Sequence, residues 1–298
     1  MRVRIAPGLR LWFDVEGAGL VPDGPRMREK PTLILLHGGP GADHSIYKPG
    51  FGALSDLAQV IYLDHRGNGR SDLGDPADWT LARWGDDVAA FCDALGIARP
   101  VVFGASFGGL VAQAFALRHP GRARALILAS TAARHDFEAV YDAFGRIGGP
   151  EARAAAEGYW GAPTAESRAL YHKVCLPLYA RAPVPADWAS RIEMRNDVAL
   201  HFNGPRNEQG RFDFREALAG LDCPLLLMAG EDDPVMPAAL SDEIAASVPP
   251  AHLRYERFAG ARHMLGLDAP EAMMAAIRGF LEGLEAEGET PAEVGTGA

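Results

Sequence analysis

The sequence predicts an α/β domain with a mostly parallel central sheet, helices on both faces and a helical insertion. Apolar runs of strand length, such as TLILLH, QVIYLD, PVVFGA and RALILAS, alternate with helical stretches. Strands that are apolar throughout are typical of a parallel sheet covered on both faces. The alternation stops near residue 133 and resumes at CPLLLMAG, which begins at Cys223. One domain interrupted by a helical cap is therefore expected.

The predicted core begins with a hairpin and then adopts the alternating pattern. The runs VRI and LRLWFDVEG predict two antiparallel strands joined by a turn at Pro7 and Gly8. Residues 20–31 are rich in proline, glycine and charge and predict a loop, and YKPGFGALSDLA predicts a short helix. TLARWGDDVAAFCDALG predicts an amphipathic helix because its apolar residues recur at steps of three and four. These residues are Leu81, Trp84, Val88, Phe91 and Leu95.

The later elements complete the domain plan. FGGLVAQAFALRHPG predicts a helix that ends at His119, before a proline. LRYERFAG predicts a strand, and APEAMMAAIRGFLEGLEA predicts the closing helix. The resulting plan is a core of residues 1–132 and 216–286 and a helical cap of residues 133–215. Residues 287–298, which have little apolar content, are expected to form a disordered tail.

Composition and charge argue against several classes of function. The net charge of −10 disfavours nucleic-acid and anionic-membrane partners, and no apolar run reaches the length of a membrane span. The N-terminus lacks a signal-peptide pattern, which predicts a cytoplasmic protein. Cys92, Cys175 and Cys223 show no metal-ligand spacing, so buried reduced thiols are expected.

The segment Gly104-Ala105-Ser106-Phe107-Gly108 places a serine at a strand-to-helix turn. The pattern G-x-S-x-G is typical of a nucleophile elbow, where the glycines let two backbone segments cross closely and the hydroxyl is exposed above the sheet. The N–H of Phe107 would then lie at a helix N-terminus, where it can stabilise an oxyanion. The alternative is that Ser106 only caps the helix.

A serine nucleophile requires a base, and the base requires an acid that orients it. After the insertion, the strand LLLMAG ends at three neighbouring carboxylates, Glu231, Asp232 and Asp233. His263 follows the last predicted strand in FAGARHM. No other histidine lies in the loop where the base is expected.

This order of serine, acid and histidine, with a helical insertion before the acid, resembles the α/β-hydrolase fold. The spacing Gly230-x-x-Asp233-x-x-x-Pro237, which is usual in the family, favours Asp233, with Asp232 as the alternative. The loop His37-Gly-Gly-Pro-Gly is similar to that of the proline iminopeptidase family, including the tricorn-associated aminopeptidase. The resemblance implies that Gly39 supplies an oxyanion-hole N–H.

The turn DHRGNGRS also resembles a family motif, one that is widespread among α/β-hydrolases and indicates fold rather than substrate. Asp64 and Arg66 in this turn are therefore expected to be structural.

Within the cap, residues 203–208 resemble the N-G-P-N-E segment of the tricorn-associated branch, with Arg206 inserted. The resemblance implies that Glu208 binds the amino terminus of a substrate. The branch has a glutamate after the catalytic aspartate, whereas this chain has Pro234. The cap motif W-x-x-W-E is missing, and Tyr159 and Trp160, which only echo it, are the other candidate substrate-binding residues.

These motifs favour a serine hydrolase of the aminopeptidase or amidase type that acts on a small molecule or short peptide. A carboxylesterase or lactonase on uncharged acyl substrates is the alternative, and an acyltransferase or a non-catalytic binding protein is less favoured. Epoxide hydrolases and haloalkane dehalogenases use an aspartate nucleophile, so Ser106 disfavours both. No metal or organic cofactor is implied, and no pattern indicates the oligomeric state.

Overall fold

An eight-stranded sheet forms the centre of the protein in a computed structural model, which describes residues 1–204 and 208–288. The strand order is β1-β2-β6-β5-β7-β8-β9-β10. The pairs β1–β2 and β2–β6 are antiparallel, and the six strands from β6 to β10 in this order run parallel. The strands are β1 (Arg2–Ala6), β2 (Leu9–Glu16), β3 (Leu20–Asp23), β4 (Arg26–Glu29), β5 (Thr32–Leu36), β6 (Gln59–Leu63), β7 (Val101–Ala105), β8 (Ala125–Ala129), β9 (Leu225–Gly230) and β10 (Leu253–Phe258).

Helices connect the parallel strands and cover the sheet. The helices are α1 (Leu81–Leu95), α2 (Phe107–Arg118), α3 (Phe137–Gly161), α4 (Ala165–Val174), α5 (Trp188–Arg191), α6 (Asn196–Asn203), α7 (Glu208–Arg211), α8 (Arg215–Leu218), α9 (Ala238–Ser247), α10 (Leu265–Asp268) and α11 (Pro270–Gly288). Short 3₁₀-helices cover Gly50–Leu54, Pro76–Asp78, Leu176–Leu178 and Pro250–His252, with one more at His44–Tyr47. No helix in the described part of the chain is long and apolar enough to cross a membrane.

The central strands are buried on both faces, and their sequences are therefore continuous apolar runs. In β5, Ile34 and Leu36 pack into one hydrophobic cluster while Leu33 and Leu35 pack into the other. All four side chains are fully buried. Side chains alternate between the two faces of a strand, so each face receives every second residue. The predicted α/β-hydrolase fold, with a mostly parallel sheet between helical layers, is confirmed.

Local signals set the ends of α1 as the sequence pattern predicts. The Thr80 hydroxyl accepts a hydrogen bond from the N–H of Arg83, an N-cap contact, and Gly96 ends the helix in the left-handed region with φ 69°. Trp84, fully buried, is one of the apolar residues that recur along the helix. The amphipathic pattern therefore buries one face of α1 against the sheet and α2.

One local prediction was wrong, and another was correct in position. Residues 20–31 form the hairpin β3–β4 rather than a loop, and its side chains are mostly exposed, so no apolar alternation marked it. The short helix predicted in YKPGFGALSDLA is present as a 3₁₀-helix at Gly50–Leu54, and another 3₁₀-helix precedes it at His44–Tyr47. Pro49 and two glycines interrupt any longer helix there.

Between β8 and β9, the described residues form helices α3 to α8. Helix α3 is kinked at Gly149 and Pro150, and φ at Gly149 is 77°. An isolated antiparallel bridge joins Arg134 to Asp213, close to the predicted ends of the cap. The cap helices share a hydrophobic cluster that includes Phe144 and Tyr171. The exact domain boundaries stay a prediction.

Two further predictions concern the cysteines and the tail. Cys92, Cys175 and Cys223 are all buried and free of disulfides, as expected. Helix α11 continues to Gly288, two residues into the predicted tail, and residues 289–298 lie outside the described part of the chain.

Candidate active site

Ser106 lies at the carboxyl end of β7 in a strained backbone conformation, with φ 54° and ψ −122°. A Cβ atom on Gly104 would collide with the Gly108 carbonyl oxygen, and one on Gly108 would collide with that of Leu36. Both glycines of the elbow are thus required by close backbone approach. The Ser106 side chain makes no capping hydrogen bond to α2. The capping interpretation of this serine therefore has no support in the structure.

The backbone strain at Ser106 predicts a difference in stability between two substitutions. A non-glycine residue in a sparsely populated region costs about 1–3 kcal/mol, whereas glycine adopts φ near +60° and ψ near −120° without a Cβ clash. We expect Ser106→Gly to unfold with a free energy about 1 kcal/mol higher than Ser106→Ala, after allowing for the greater flexibility of unfolded glycine. Urea titrations of both variants measure this difference, and equal midpoints and slopes would show that the elbow holds no strain.

Asp233 and His263 are directly hydrogen-bonded, with 2.8 Å between Asp233 Oδ2 and His263 Nδ1. The other oxygen, Oδ1, accepts hydrogen bonds from the N–H groups of Val235 (2.7 Å) and Met236 (2.9 Å). Asp233 is 3% exposed, so its carboxylate is held by fixed donors rather than by solvent. The side chain of the alternative acid, Asp232, is 43% exposed and pairs with Arg181. The carboxylate that faces the histidine is that of Asp233.

The fold brings Ser106 and the Asp233–His263 pair to one edge of the sheet. Strands β7, β9 and β10 are parallel, and each of the three residues follows the carboxyl end of its strand. No hydrogen bond joins the Ser106 hydroxyl to the His263 ring among the described residues. Catalytic hydrogen bonds are often long without a substrate and shorten in the reactive complex.

Gly39, the predicted oxyanion-hole residue, follows β5 and has φ 127°. β5 is the direct neighbour of β7, and a Cβ placed on the adjacent Gly38 would lie 3.5 Å from Ser106 Cβ. The HGGPG loop therefore passes beside Ser106. Phe107 is the first residue of α2, so its N–H has no acceptor within the helix. Both predicted donors thus lie on segments next to the serine, and their role stays a prediction.

Two histidines, His37 of this loop and His65 of the DHRGNGRS turn, stabilise the shape of the loop. His37 is fully buried, and its Nδ1 lies 2.8 Å from the Gly38 carbonyl oxygen. Its Nε2 accepts a hydrogen bond from the N–H of His65. Burial lowers the pKa of both His37 and His65, so both rings are neutral at pH 7 and their hydrogen bonds are those of uncharged imidazole.

The DHRGNGRS turn makes structural contacts. The Asp64 carboxylate accepts hydrogen bonds from His44 and from the Arg70 N–H. Asp43, His44 and Asp64 lie close enough to hold a metal ion, but each already bonds to protein groups, including the Asp43–Arg70 ion pair. The Arg66 guanidinium binds the Asp87 carboxylate through two hydrogen bonds. These contacts pair the charged groups of the turn with other groups of the protein.

The predicted cap residues have specific partners. The Glu208 Oε2 atom lies 3.4 Å from the Leu81 nitrogen, which places its carboxylate at the N-terminus of α1. The Tyr159 hydroxyl accepts hydrogen bonds from Arg168 (2.9 Å) and Asn203 (2.9 Å). Asn203 is the first residue of the segment that resembles N-G-P-N-E, and residues 205–207, including the inserted Arg206, lie outside the described residues.

Trp160 is part of an aromatic row that extends from the catalytic histidine candidate into the cap. The Tyr179 ring meets the His263 ring edge-on, with 5.1 Å between centroids. The hydroxyls of Tyr179 and Tyr171 are 2.7 Å apart, and the Tyr171 and Trp160 ring centroids are 5.8 Å apart. His135 lies 5.5 Å from Trp160 by the same measure. Trp160 and the neighbouring Tyr159 are thus connected to the site through contacting rings.

Asp268 links the cap to the loop that carries His263, a contact that no sequence motif indicated. Its Oδ1 accepts hydrogen bonds from the N–H groups of Arg181 (2.8 Å) and Ala182 (2.9 Å), which belong to the cap. Its Oδ2 accepts one from the N–H of Arg262, next to His263. The Asp268 carboxylate therefore bridges the predicted cap and the histidine loop.

A second cap contact lies at the HGGPG loop. The Arg195 N–H donates to the Gly41 carbonyl oxygen over 2.7 Å, and the Gly41 N–H donates to Asn68 Oδ1. A Cβ on Gly41 would collide with the Arg195 carbonyl oxygen. A cavity of about 480 Å³ lined by residues 193–197 lies on this cap segment and contains none of the predicted site residues.

Comparisons with known proteins agree with this architecture. The family model of the alpha/beta hydrolase fold matches residues 31–270. RutD of Caulobacter sp. (strain K31), which carries the name of a carbamate hydrolase, is 32% identical over 264 residues, covering 84% of this chain and 90% of RutD.

Solved structures also resemble the whole chain. Proline iminopeptidase from Mycobacterium smegmatis is 25% identical, with a TM-score of 0.74, and the match covers 97% of this chain and 99% of that protein. A thermophilic esterase from Thermogutta terrifontis is 24% identical, with a TM-score of 0.68 and coverages of 95% and 98%. The chain is a member of the alpha/beta hydrolase family, and its relatives are named as hydrolases and esterases.

Proposed function

We propose that this enzyme hydrolyses small acyl substrates through an acyl-enzyme on Ser106, with His263 as base and acid and Asp233 as the orienting carboxylate. The observation that carries the proposal is the 2.8 Å hydrogen bond between Asp233 and His263, formed at the sheet edge where Ser106 lies on its strained elbow. A buried carboxylate that is hydrogen-bonded to a histidine, at the sheet edge that also carries such a serine, is typical of a catalytic triad.

In the proposed mechanism, the Ser106 oxygen attacks the substrate carbonyl carbon while His263 Nε2 accepts the hydroxyl proton. The carbonyl oxygen becomes an oxyanion, which the N–H groups of Gly39 and Phe107 stabilise. His263 then donates the proton to the leaving group, and the carbon–leaving-group bond breaks. Water then attacks the acyl-enzyme carbonyl carbon while His263 accepts a proton from it. The bond between the acyl carbon and the Ser106 oxygen breaks, His263 returns the proton to that oxygen, and the acid is released. Asp233 holds the imidazole in the required tautomer throughout.

For the substrate, we infer esters or lactones without a free amino group. An amine-binding carboxylate must be available to the substrate, but the Glu208 carboxylate lies against the N-terminus of α1, where a negative charge is stabilising. The glutamate expected after the catalytic acid is replaced by Pro234. The second candidate is an aminopeptidase or amidase. The HGGPG loop and the full-length similarity to a proline iminopeptidase favour it.

Substitution of Glu208 distinguishes the two candidates. If its carboxylate only caps α1, Glu208→Gln should lower the free energy of unfolding by about 0.3–1 kcal/mol. It should leave the ratio of kcat/KM for an aminoacyl anilide to that for its amine-free counterpart unchanged. The measurement uses matched chromogenic anilides and short-chain esters on both proteins, with Glu216→Gln as a control glutamate of the neighbouring helix α8.

The opposite result supports the aminopeptidase. A carboxylate that binds a substrate ammonium in a partly desolvated site contributes about 1.5–3 kcal/mol. Its loss would raise KM for the aminoacyl anilide roughly tenfold or more. A tenfold rise confined to amine-bearing substrates would therefore refute the esterase assignment.

A further inference from the structure

Two buried N–H donors in the cap region have no acceptor among the described residues. They are Trp160 Nε1 and His135 Nε2. The rings are neighbours, with centroids 5.5 Å apart and planes inclined by 49°. A buried donor without a partner costs about 1–3 kcal/mol, and native structures leave few of them. Two such donors side by side indicate a place for an acceptor from outside the chain.

The protonation of His135 follows from its other nitrogen. The Gln209 amide nitrogen lies 3.1 Å from His135 Nδ1 and donates to it, which leaves the ring proton on Nε2. Burial lowers the pKa of His135 to about 4, so the ring is neutral at pH 7. The unpartnered Nε2 is therefore a neutral N–H donor, as the Trp160 nitrogen is.

A buried arginine lies in the same part of the cap and contacts Tyr159, the residue before Trp160. Arg168 is 9% exposed, and its hydrogen bonds go to the uncharged Asn196 Oδ1 (3.0 Å), Tyr159 hydroxyl (2.9 Å) and Met194 sulfur. No ion pair joins Arg168 to a carboxylate in the described part of the chain. Buried charges are normally paired.

Arg66 shows the usual arrangement for a buried arginine in this protein. It is 6% exposed, and two carboxylates, Asp78 and Asp87, compensate its charge. Arg168 lacks such compensation, and its partner Tyr159 lies next to Trp160, with 4.7 Å between ring centroids. A buried arginine that no described carboxylate compensates therefore contacts the residue next to Trp160, while Arg134 and Asp136, the neighbours of His135, pair with each other.

These donors are connected to the reacting centre from two directions. On one side, the rings of Tyr171 and Tyr179 link Trp160 to His263. On the other side, His135 lies on the segment that follows β8, and the last residue of β8, Ala129, accepts a hydrogen bond from the Ser106 N–H. Both elements therefore start from residues that contact the Ser106 backbone or the His263 ring.

We propose that Trp160 and His135 bind a carboxylate at the far end of the substrate's acyl chain, so that the enzyme prefers half-esters of aliphatic dicarboxylic acids. A carboxylate offers about four lone-pair sites, enough for both N–H donors, and its charge is complementary to Arg168. A substrate ammonium would instead be repelled by that cation. The inference rests on the proposed hydrolase function and assigns its substrate class.

The test compares monoethyl succinate, glutarate and adipate with the uncharged ethyl butanoate, pentanoate and hexanoate in a pH-stat. Wild type should hydrolyse at least one half-ester with a kcat/KM at least about tenfold above its uncharged partner, as hydrogen bonds to a charged group predict. Trp160→Phe keeps an aromatic ring but removes the N–H, and should reduce the ratio of kcat/KM for the half-ester to that for its uncharged partner about tenfold. Trp188→Phe, another cap tryptophan, should leave it unchanged.

A second readout uses binding rather than turnover. Glutarate should protect Ser106 of wild type from labelling by a fluorophosphonate, and should protect Trp160→Phe at least about tenfold less well. Equal rates on charged and uncharged esters at every chain length, or a preference that survives Trp160→Phe, would overturn the carboxylate site while leaving the hydrolase intact. Failure of the fluorophosphonate to label Ser106, together with no ester hydrolysis, would instead overturn the proposed function.

Discussion

Ser106→Ala is expected to lower turnover on short-chain esters by a factor on the order of 10⁴ or more while the protein remains folded. The reason is that alanine removes the attacking oxygen but keeps the Cβ atom and the backbone of the elbow. The Ser106 side chain makes no capping bond to α2, so its loss removes no structural contact of that kind. Initial rates and fluorophosphonate labelling measure the effect.

A matched control for this experiment is Ser247→Ala. Its hydroxyl donates to the Glu243 carbonyl oxygen at the end of α9, so the substitution deletes the same atom away from the predicted site. Activity of the control should equal that of wild type. If Ser106→Ala hydrolyses esters at a rate near that of the control, Ser106 is not the nucleophile.

Asp233→Asn is expected to reduce kcat by roughly 10⁴, whereas Asp232→Asn should have little effect. The amide of asparagine cannot both accept the His263 N–H and stabilise the imidazolium that forms when the serine proton is transferred. Asp232 lies one residue away, but its carboxylate is exposed and pairs with Arg181. The two substitutions make the same chemical change at neighbouring positions, so each serves as the control of the other.

The measurement is kcat on one ester at saturating substrate, with circular dichroism to confirm that both variants are folded. Asp233 Oδ1 also accepts two backbone hydrogen bonds, so a modest loss of stability in Asp233→Asn is expected besides the loss of rate. If Asp232→Asn lowers kcat more than Asp233→Asn does, Asp232 rather than Asp233 is the catalytic acid.

The fold was predictable from the sequence because strands buried on both faces are continuous apolar runs. Such a run can be recognised without knowing which strands lie next to it. The run TLILLH becomes β5, whose residues Leu33 to Leu36 are fully buried. The hairpin β3–β4 was not predictable in the same way. All four residues of β4 are exposed, so no apolar pattern distinguishes it from a loop.

The candidate site was predictable where its chemistry depends on local backbone shape. Gly104 and Gly108 are required by close contacts within the elbow, and such requirements appear as short motifs. Asp268 and Arg168 act through contacts with residues distant in the chain. Asp268, for example, accepts from Arg181, 87 positions earlier. No spacing rule marks a contact that only the folded chain creates, so these residues were found from the structure.

The Asp268 carboxylate has a consequence for exchanging caps between relatives. It accepts two consecutive N–H groups from the cap and a third from the histidine loop, so the cap is attached to the core by more than its two chain ends. A chimera that replaces residues 133–215 but lacks those two N–H groups would leave Asp268 with only the donor beside His263. Substrate range and turnover would then change together. A transplanted cap must therefore reproduce this backbone contact before a change in substrate range can be attributed to the side chains of the new cap.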